Sequence, residues 1–324
     1  MRKLIAIAIF GLASTAALAD VAVTGGFAYR YDSVQAPKVT TVNQDKMAAE
    51  VKLSADVGSN VKAVLGLATG SANTRFTTFG DNNSLKNIDL SLAYVEYAPL
   101  ANAKIVIGKQ YLPWATGHSY FTDRDIHPEG FTVAYDAGQG INLSGYSLTT
   151  SEGLFGHDSK IKGFNAGLNR EIAGLSAGLT LGQRKHDYAV TQTLRAVYDL
   201  KTANVNVGTK LAGTPVSVFY DYSKNGKVAS LNKATAYGVT FGKAKEPGSY
   251  DVSFVHQKVD SKALAPSYMD NEFAMGSPQN EGNAIVANYV VAKGWKVTGN
   301  YLDAKAGVSK TPNRHIMVDL KYMF

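Results

Sequence analysis

From residue 315 to its last residue the chain alternates without a break. Ile316, Val318, Leu320, Tyr322 and Phe324 fall on one side, and His315, Met317, Asp319, Lys321 and Met323 on the other. Successive side chains of an extended strand point to opposite faces, so this segment builds one apolar face and one mixed face. The same period recurs upstream. Met47, Ala49, Val51, Leu53, Ala55 and Val57 oppose Lys46, Glu50, Lys52, Ser54 and Asp56, and Leu175, Ala177, Leu179 and Leu181 oppose Ser176, Gly178, Thr180 and Gly182. Tyr250, Val252 and Phe254 repeat the pattern, as do Trp295, Val297 and Tyr301. No long helical stripe interrupts it, so the chain reads as all-β. With no long linker and no fixed-period repeat, residues 20–324 form one domain after the leader.

The first residues belong to another class of segment. Arg2 and Lys3 precede an apolar run from Leu4 to Leu12, and Ala17-Leu18-Ala19 puts small residues where a signal peptidase reads them. Residues 1–19 are expected to be an export signal cleaved before Asp20. The apolar stretch is shorter than the ~20 residues a spanning helix needs. Cleavage removes Arg2 and Lys3 and lowers the formal net charge of +7 by two. The chain has no Cys, which excludes disulfides, thiol nucleophiles, Cys-ligated zinc and a lipid-modified N-terminus. Eighteen Tyr, 13 Phe and a charged fraction of only 18% exclude disorder.

An exported alternating chain is either a secreted sandwich or a barrel that crosses a membrane as strands. Two features favour the barrel. Aromatics gather at strand ends, as in Tyr29 and Tyr31, Tyr94 and Tyr97, Tyr220 and Tyr222, and Tyr322 and Phe324, where a lipid–water boundary suits them. Connections also alternate in length. Those at 58–60, 98–102, 136–140 and 293–294 are tight, whereas 33–44, 71–87, 111–130 and 258–282 are long. Seventeen runs qualify as strands, but an odd total cannot return both chain ends to one side. Counting from each end puts the conflict between His186 and Leu211, where one run is a loop or part of an over-long strand. The expectation is a transmembrane antiparallel β-barrel of sixteen strands, with eighteen as the alternative. Sixteen strands enclose an aqueous lumen.

Lys321-Tyr322-Met323-Phe324 resembles the C-terminal signature of outer-membrane barrels, and Tyr94-Val95-Glu96-Tyr97 through Ile105 to Tyr111 resembles the fourth and fifth strands of bacterial porins. Tyr237-Gly238-Val239, Gly242 to Tyr250, Asp260 to Ala265, Met269 to Phe273 and Asn280-Glu281-Gly282 follow in an order similar to a poorly characterised porin family of Gram-negative bacteria. Tyr250 stands where that family has Trp, and Asn271-Glu272 where it has a Ser-Asp pair. The resemblance implies a homotrimeric channel in the outer membrane. It also implies that the connection after the fifth strand, Leu112 to Glu129, folds inward as a constriction loop.

On that loop the candidate site residues are His118, Asp123, Arg124, Asp125, His127 and Glu129. Alternation nominates Arg30, Lys46, Lys52, Lys62, Arg184 and Arg195 as lumenal cations facing them, an arrangement that sets a transverse field and selects ions. Lys109 shares the parity of Ile105 and Ile107, and a bulge at Gly108 is needed to turn it inward. A cationic excess in a narrow lumen favours anions. Asp270, Glu272 and Glu281 read as acids of a solvated loop, with a cation or lipopolysaccharide bridge as the rarer reading.

No enzyme is expected. His157-Asp158 and His186-Asp187 are adjacent pairs, which an extended chain points apart, and Gly174-Leu175-Ser176-Ala177-Gly178 opens a strand rather than a nucleophile elbow. No cofactor or metal site is expected, and dispersed charge argues against nucleic acid. The expected partners are outer-membrane lipid, lipopolysaccharide and small hydrophilic solutes or ions. The expected function is passive diffusion of those solutes. The alternatives are a solute-specific channel and a non-transporting structural or adhesive barrel.

Overall fold

A strand with one apolar face must cover that face, and a sheet of such strands can close on itself and leave the apolar side outermost. The computed structural model describes residues 21–37, 41–70, 74–79, 86–114, 119–154, 157–189 and 195–324. The export segment lies outside these. The strands are β1 (Ala22–Gln35), β2 (Val42–Gly58), β3 (Val61–Thr69), the two-residue β4 (Thr77–Thr78), β5 (Ile88–Leu100), β6 (Ala103–Lys109), β7 (Glu129–Gly138), β8 (Ile141–Leu154), β9 (His157–Ile172), β10 (Leu175–Ala189), β11 (Arg195–Leu211), β12 (Thr214–Asn225), β13 (Lys233–Gly242), β14 (Tyr250–Val259), β15 (Asn280–Ala292), β16 (Trp295–Ala306) and β17 (Thr311–Met323).

Sixteen of them form a closed antiparallel barrel, each pairing with its neighbours along the chain and β1 closing on β17 from Gly26↔Met323 to Gln35↔Arg314. The extra strand, β4, pairs with Lys46 and Met47 of β2, beyond the end of the shorter β3. The ambiguity between His186 and Leu211 resolves as an over-long strand. β11 runs 17 residues and absorbs what read as two runs, so the barrel has sixteen strands and not eighteen.

Alternation appears directly in exposure. Val318 is 44% exposed, whereas its neighbours Met317 and Asp319 are 1% and 0%. Tyr97, Tyr135, Tyr250, Tyr289 and Trp295 are exposed near the end that carries the tight turns. Those turns are built for the twist of the strands. Ala173-Gly174 and Ala212-Gly213 are two-residue hairpin loops with φ values of 51° and 79°, and 47° and 83°. Such paired left-handed residues match the right-handed strand twist. Ser176 therefore sits just past a hairpin turn, its hydroxyl donating to Gly208 O at 3.3 Å, and not on a strand-to-helix elbow.

Two long connections at the opposite end fold into the barrel. One is the expected connection after the fifth barrel strand, of which residues 110–114 and 119–128 are described. The other spans residues 260–279 and carries two short 3-10 turns, Pro266–Tyr268 and Phe273–Gly276. Phe121 from the first and Ala263, Leu264, Met269, Phe273 and Ala274 from the second pack against Phe219, Ala236, Val255, Leu302 and Met317 of the wall. A second cluster joins Trp114 and Ile126 to Tyr146, Leu148, Ile161 and Tyr268. The reading of 260–279 as a solvated loop is thus corrected. Its apolar side chains find too little lipid or protein at a barrel mouth and bury themselves inside it.

Candidate functional site

Residues 110–128 leave β6 through a glycine that bends the chain. Gly108 has φ 125°, and a Cβ there would lie 2.2 Å from Ala93 O. The ladder keeps its register, with Ala93 opposite Lys109 and Tyr94 opposite Gly108. No inserted residue turns Lys109, so the expected bulge is replaced by a left-handed glycine. Lys109 Nζ donates to His127 O at 3.0 Å and lies 3.8 Å from Glu129. The far end of the loop is fixed to wall and neighbour. Tyr120 N donates to Gln257 Oε1 at 2.9 Å, and Asp123 N to Tyr268 O at 2.9 Å.

The loop's ionisable residues have separate environments. Asp123 is buried, and its Oδ1 accepts from Asp125 N at 2.8 Å. Burial raises its carboxyl to about 6, although the Asp125 amide opposes the shift, and Asp125 and Glu272 add repulsion. Asp125 faces the interior space, where its Oδ1 lies 3.0 Å from Arg75 Nε. His127 is lowered to about 4 by burial and then by the Arg75 and Lys109 cations. Its ring meets Tyr111 edge-on at 5.0 Å, and its Nε2 lies 3.4 Å from Arg75 NH2. Arg124 and Glu129 are exposed. His118 lies outside the described residues.

The nominated wall cations divide into groups. Arg30 holds Asp319 in a two-point pair, Nε–Oδ1 at 2.6 Å and NH2–Oδ2 at 2.9 Å, and also contacts Glu272 of the second loop. Lys46 Nζ donates to Asp32 Oδ2 at 2.6 Å, and His315 Nε2 meets the other Asp32 oxygen at 2.7 Å. These two cations are neutralised on the wall. Lys62 sits near the tight-turn end, opposite Asp56 and Glu96. Arg184 is buried against the ring of Trp114 at the root of the loop. The Arg195 side chain lies outside the described residues. Among the described residues, a continuous cationic ring facing the loop carboxylates is therefore not the arrangement found.

Among the described residues, three spaces near the loop bear on a passage through the barrel. A cavity of about 530 Å³ toward the long-loop end is lined by Arg75, Lys109, Asp125, His127, Ser267 and Tyr268 among others. A narrow space of about 180 Å³ lies between the wall and the loop, where Glu50 and Lys52 meet Arg75, Tyr111 and His127. A third cavity, of about 540 Å³, lies toward the tight turns and includes Glu96, Lys104, Asn142, Asn165, Asn169 and Pro113.

Arg75 links the first two spaces, and alternation could not nominate it because it stands in a long connection with no period. Its NH1 donates to Glu50 Oε2 at 2.7 Å, and its backbone amide to Asp125 Oδ2 at 3.2 Å. Asp270 and Glu272 also fall outside the solvated role expected of them. Asp270 Oδ1 accepts the amides of Glu272 and Phe273 at 2.9 and 3.3 Å, and Glu272 reaches Arg30. Among the described residues no acid or histidine cluster is arranged to hold a metal.

No protein-family model matches the chain, and no curated protein matches it significantly. Solved structures similar to it include a high-pH structure of Pseudomonas putida OprB, at 10% identity and TM-score 0.69 over 94% of each chain. Salmonella typhi OmpF in complex with daunomycin is similar at 12% identity and TM-score 0.59, over 94% of this chain and 98% of that one. A mutant of Rh. blastica porin is similar at 13% identity and TM-score 0.56, over 94% of this chain and 100% of that one. At these identities the likeness is one of fold.

Proposed function

We propose that this chain is an outer-membrane porin, exported through its first 19 residues, that lets small hydrophilic solutes and ions diffuse through a water-filled barrel. The observation that carries this reading is the closed sixteen-strand barrel with apolar side chains outside and charged, loop-narrowed space inside. A barrel has no unpaired edge, so its outward apolar face can meet lipid without exposing backbone polar groups. The similar Rh. blastica protein is itself described as a porin. Permeation runs between the wall and the inward loop, past Lys52, Arg75, Glu50, Tyr111 and His127. Arg30 and Lys46 contribute little net field because they are paired. Arg75 is shared between Glu50 and Asp125, so Lys52, which has no carboxylate partner among the described residues, supplies the cationic charge at the narrow space and supports a weak anion preference. A homotrimer is part of this reading, with the small outward residues Ala55 and Ala63, paired across β2 and β3, as a packing surface between protomers.

The test is single-channel conductance and zero-current potential in planar bilayers under a salt gradient. Small ohmic steps with slight anion preference, reversed by Lys52→Glu, are the expected result. No conductance from a folded, heat-modifiable barrel would replace the channel with a structural or adhesive role. A solute-selective channel is the second reading, favoured by the hydroxyls of Thr69, Ser91, Thr150, Ser151, Ser159 and Ser267 around the 530 Å³ cavity. Concentration-dependent block of current by one class of polyhydroxylated solute would select it.

A further inference from the structure

One cluster inside the barrel has no part in the proposed permeation path. Arg184 on β10 is 7% exposed, and its guanidinium carbon lies 4.8 Å from the centroid of Trp114 at the root of the inward loop. Among the described residues its Nε has no hydrogen-bond partner. Two residues further along β10, His186 is 3% exposed, and among the described residues neither of its ring nitrogens has a hydrogen-bond partner. Among the described residues the Trp114 indole N–H is also buried without a partner, and the Tyr146 hydroxyl, which faces Arg184 and Asn165, makes no well-formed hydrogen bond. The rings of Trp114 and Tyr146 lie 5.4 Å apart, and those of Trp114 and His186 6.2 Å apart. Gly163 makes room for the group. A Cβ there would fall 2.7 Å from the Tyr146 hydroxyl oxygen and 2.9 Å from Arg184 Cβ.

Most groups left without partners in this cluster are N–H or O–H donors, and the charge among them is positive. An uncompensated buried charge is among the most costly things a fold can hold. Buried polar groups normally find a protein, water or ion partner. Water would satisfy the donors and leave the charge standing, whereas an anion satisfies both. Leu148 and Ile161, 1% and 0% exposed, close the cluster with apolar walls. That enclosure fits a monatomic ion better than a bulky solute.

We propose that Arg184, His186, Trp114 and Tyr146 form a buried binding site for one small inorganic anion of halide size. Bound there, the ion neutralises Arg184 and ties the root of the inward loop to β8 and β10. The site lies apart from the narrow space at Lys52 and Arg75, so anion binding here does not depend on conduction there.

The test uses the purified full chain in detergent, with bromide as the probe. Crystals grown in sodium bromide should show an anomalous peak in contact with Arg184 Nε. Thermal unfolding should shift upward with bromide relative to sodium gluconate at equal ionic strength. Arg184→Gln should abolish both effects and, in gluconate, unfold no earlier than the unaltered protein. Should Arg184→Gln fail to fold, Trp114→Phe keeps the ring while removing one donor, and should weaken the bromide dependence on the order of tenfold. Ordered water alone at Arg184, bromide found only elsewhere, or unfolding that is indifferent to bromide would overturn the proposal.

Discussion

The ring of Tyr120, in the first inward loop, stacks on the ring of Phe273, in the second, with centroids 5.1 Å apart and planes inclined by 23°. A few residues away, Asp123 N donates to Tyr268 O. The two loops therefore form one body inside the barrel, joined by aromatic contact and fastened to the wall through Gln257. Phe273 is 1% exposed, so Phe273→Ala opens a cavity where the loops meet and costs ~3–5 kcal/mol of packing. The strand ladders do not depend on it. The expected outcome is a barrel that stays heat-modifiable on gels while its single-channel conductance rises. An unchanged conductance would mean that the stacked rings do not set the width of the passage.

Arg75 is the cation that joins Glu50 of the wall to Asp125 of the loop. Its side chain is 29% exposed and Glu50 is 46% exposed, so screening keeps these pairs to no more than ~1 kcal/mol of stability. Their effect on permeation is larger, because Arg75→Gln releases two carboxylates beside the narrow space. The zero-current potential should move toward cation preference with little change in unfolding temperature. A potential that stays put would remove Arg75 from the path.

Much of this architecture was legible in the residues, for a physical reason. An apolar exterior and a polar interior impose opposite demands on alternate positions, so Ile316 to Phe324 declares its faces without help from context. The candidate site was less legible because its parts come from connections. Arg75 lies in a segment with no period, and nothing local distinguishes Phe273 in an inward loop from a Phe resting on a membrane surface. Ala263-Leu264-Ala265 was the available signal, an apolar triplet too long for a solvated loop. Parity identified Arg30 and Lys46 as inward-facing. It could not reveal that Asp319, Glu272 and Asp32 neutralise them, since no local spacing links those partners to the cations they hold.

Gly108 and Gly130 stand opposite each other on β6 and β7, with φ values of 125° and 151°. An added Cβ would lie 2.2 Å from Ala93 O in the first case and 2.2 Å from Ser147 O in the second. Both contacts are with backbone, which cannot step aside. Gly108→Ala should lower the yield of folded barrel and swing Lys109 away from His127. In the fraction that folds, anion preference should fall. Wild-type yield and selectivity would show that the glycine is not what aims Lys109.

The last expectation concerns pH. Burial raises Asp123 to about 6, and burial with repulsion from Glu272 and Asp123 raises Asp270 well above the ordinary carboxyl range. Both groups hold a proton more tightly in the docked loops than in an unfolded chain, whose carboxyls titrate near ~4. Their contribution to stability is therefore complete below about pH 4 and is lost as pH rises through about 6 and beyond. Acidification should dock the loops more firmly and lower single-channel conductance between about pH 8 and about pH 5. His127 does not confound the range, since it stays neutral down to about 4. Asp270→Asn keeps an oxygen for the amides of Glu272 and Phe273 while removing the charge. It should give the low conductance already at about pH 8 and flatten the profile. A conductance that rises on acidification, or an Asp270→Asn profile as steep as that of the unaltered protein, would show that these carboxylates do not control the docked state.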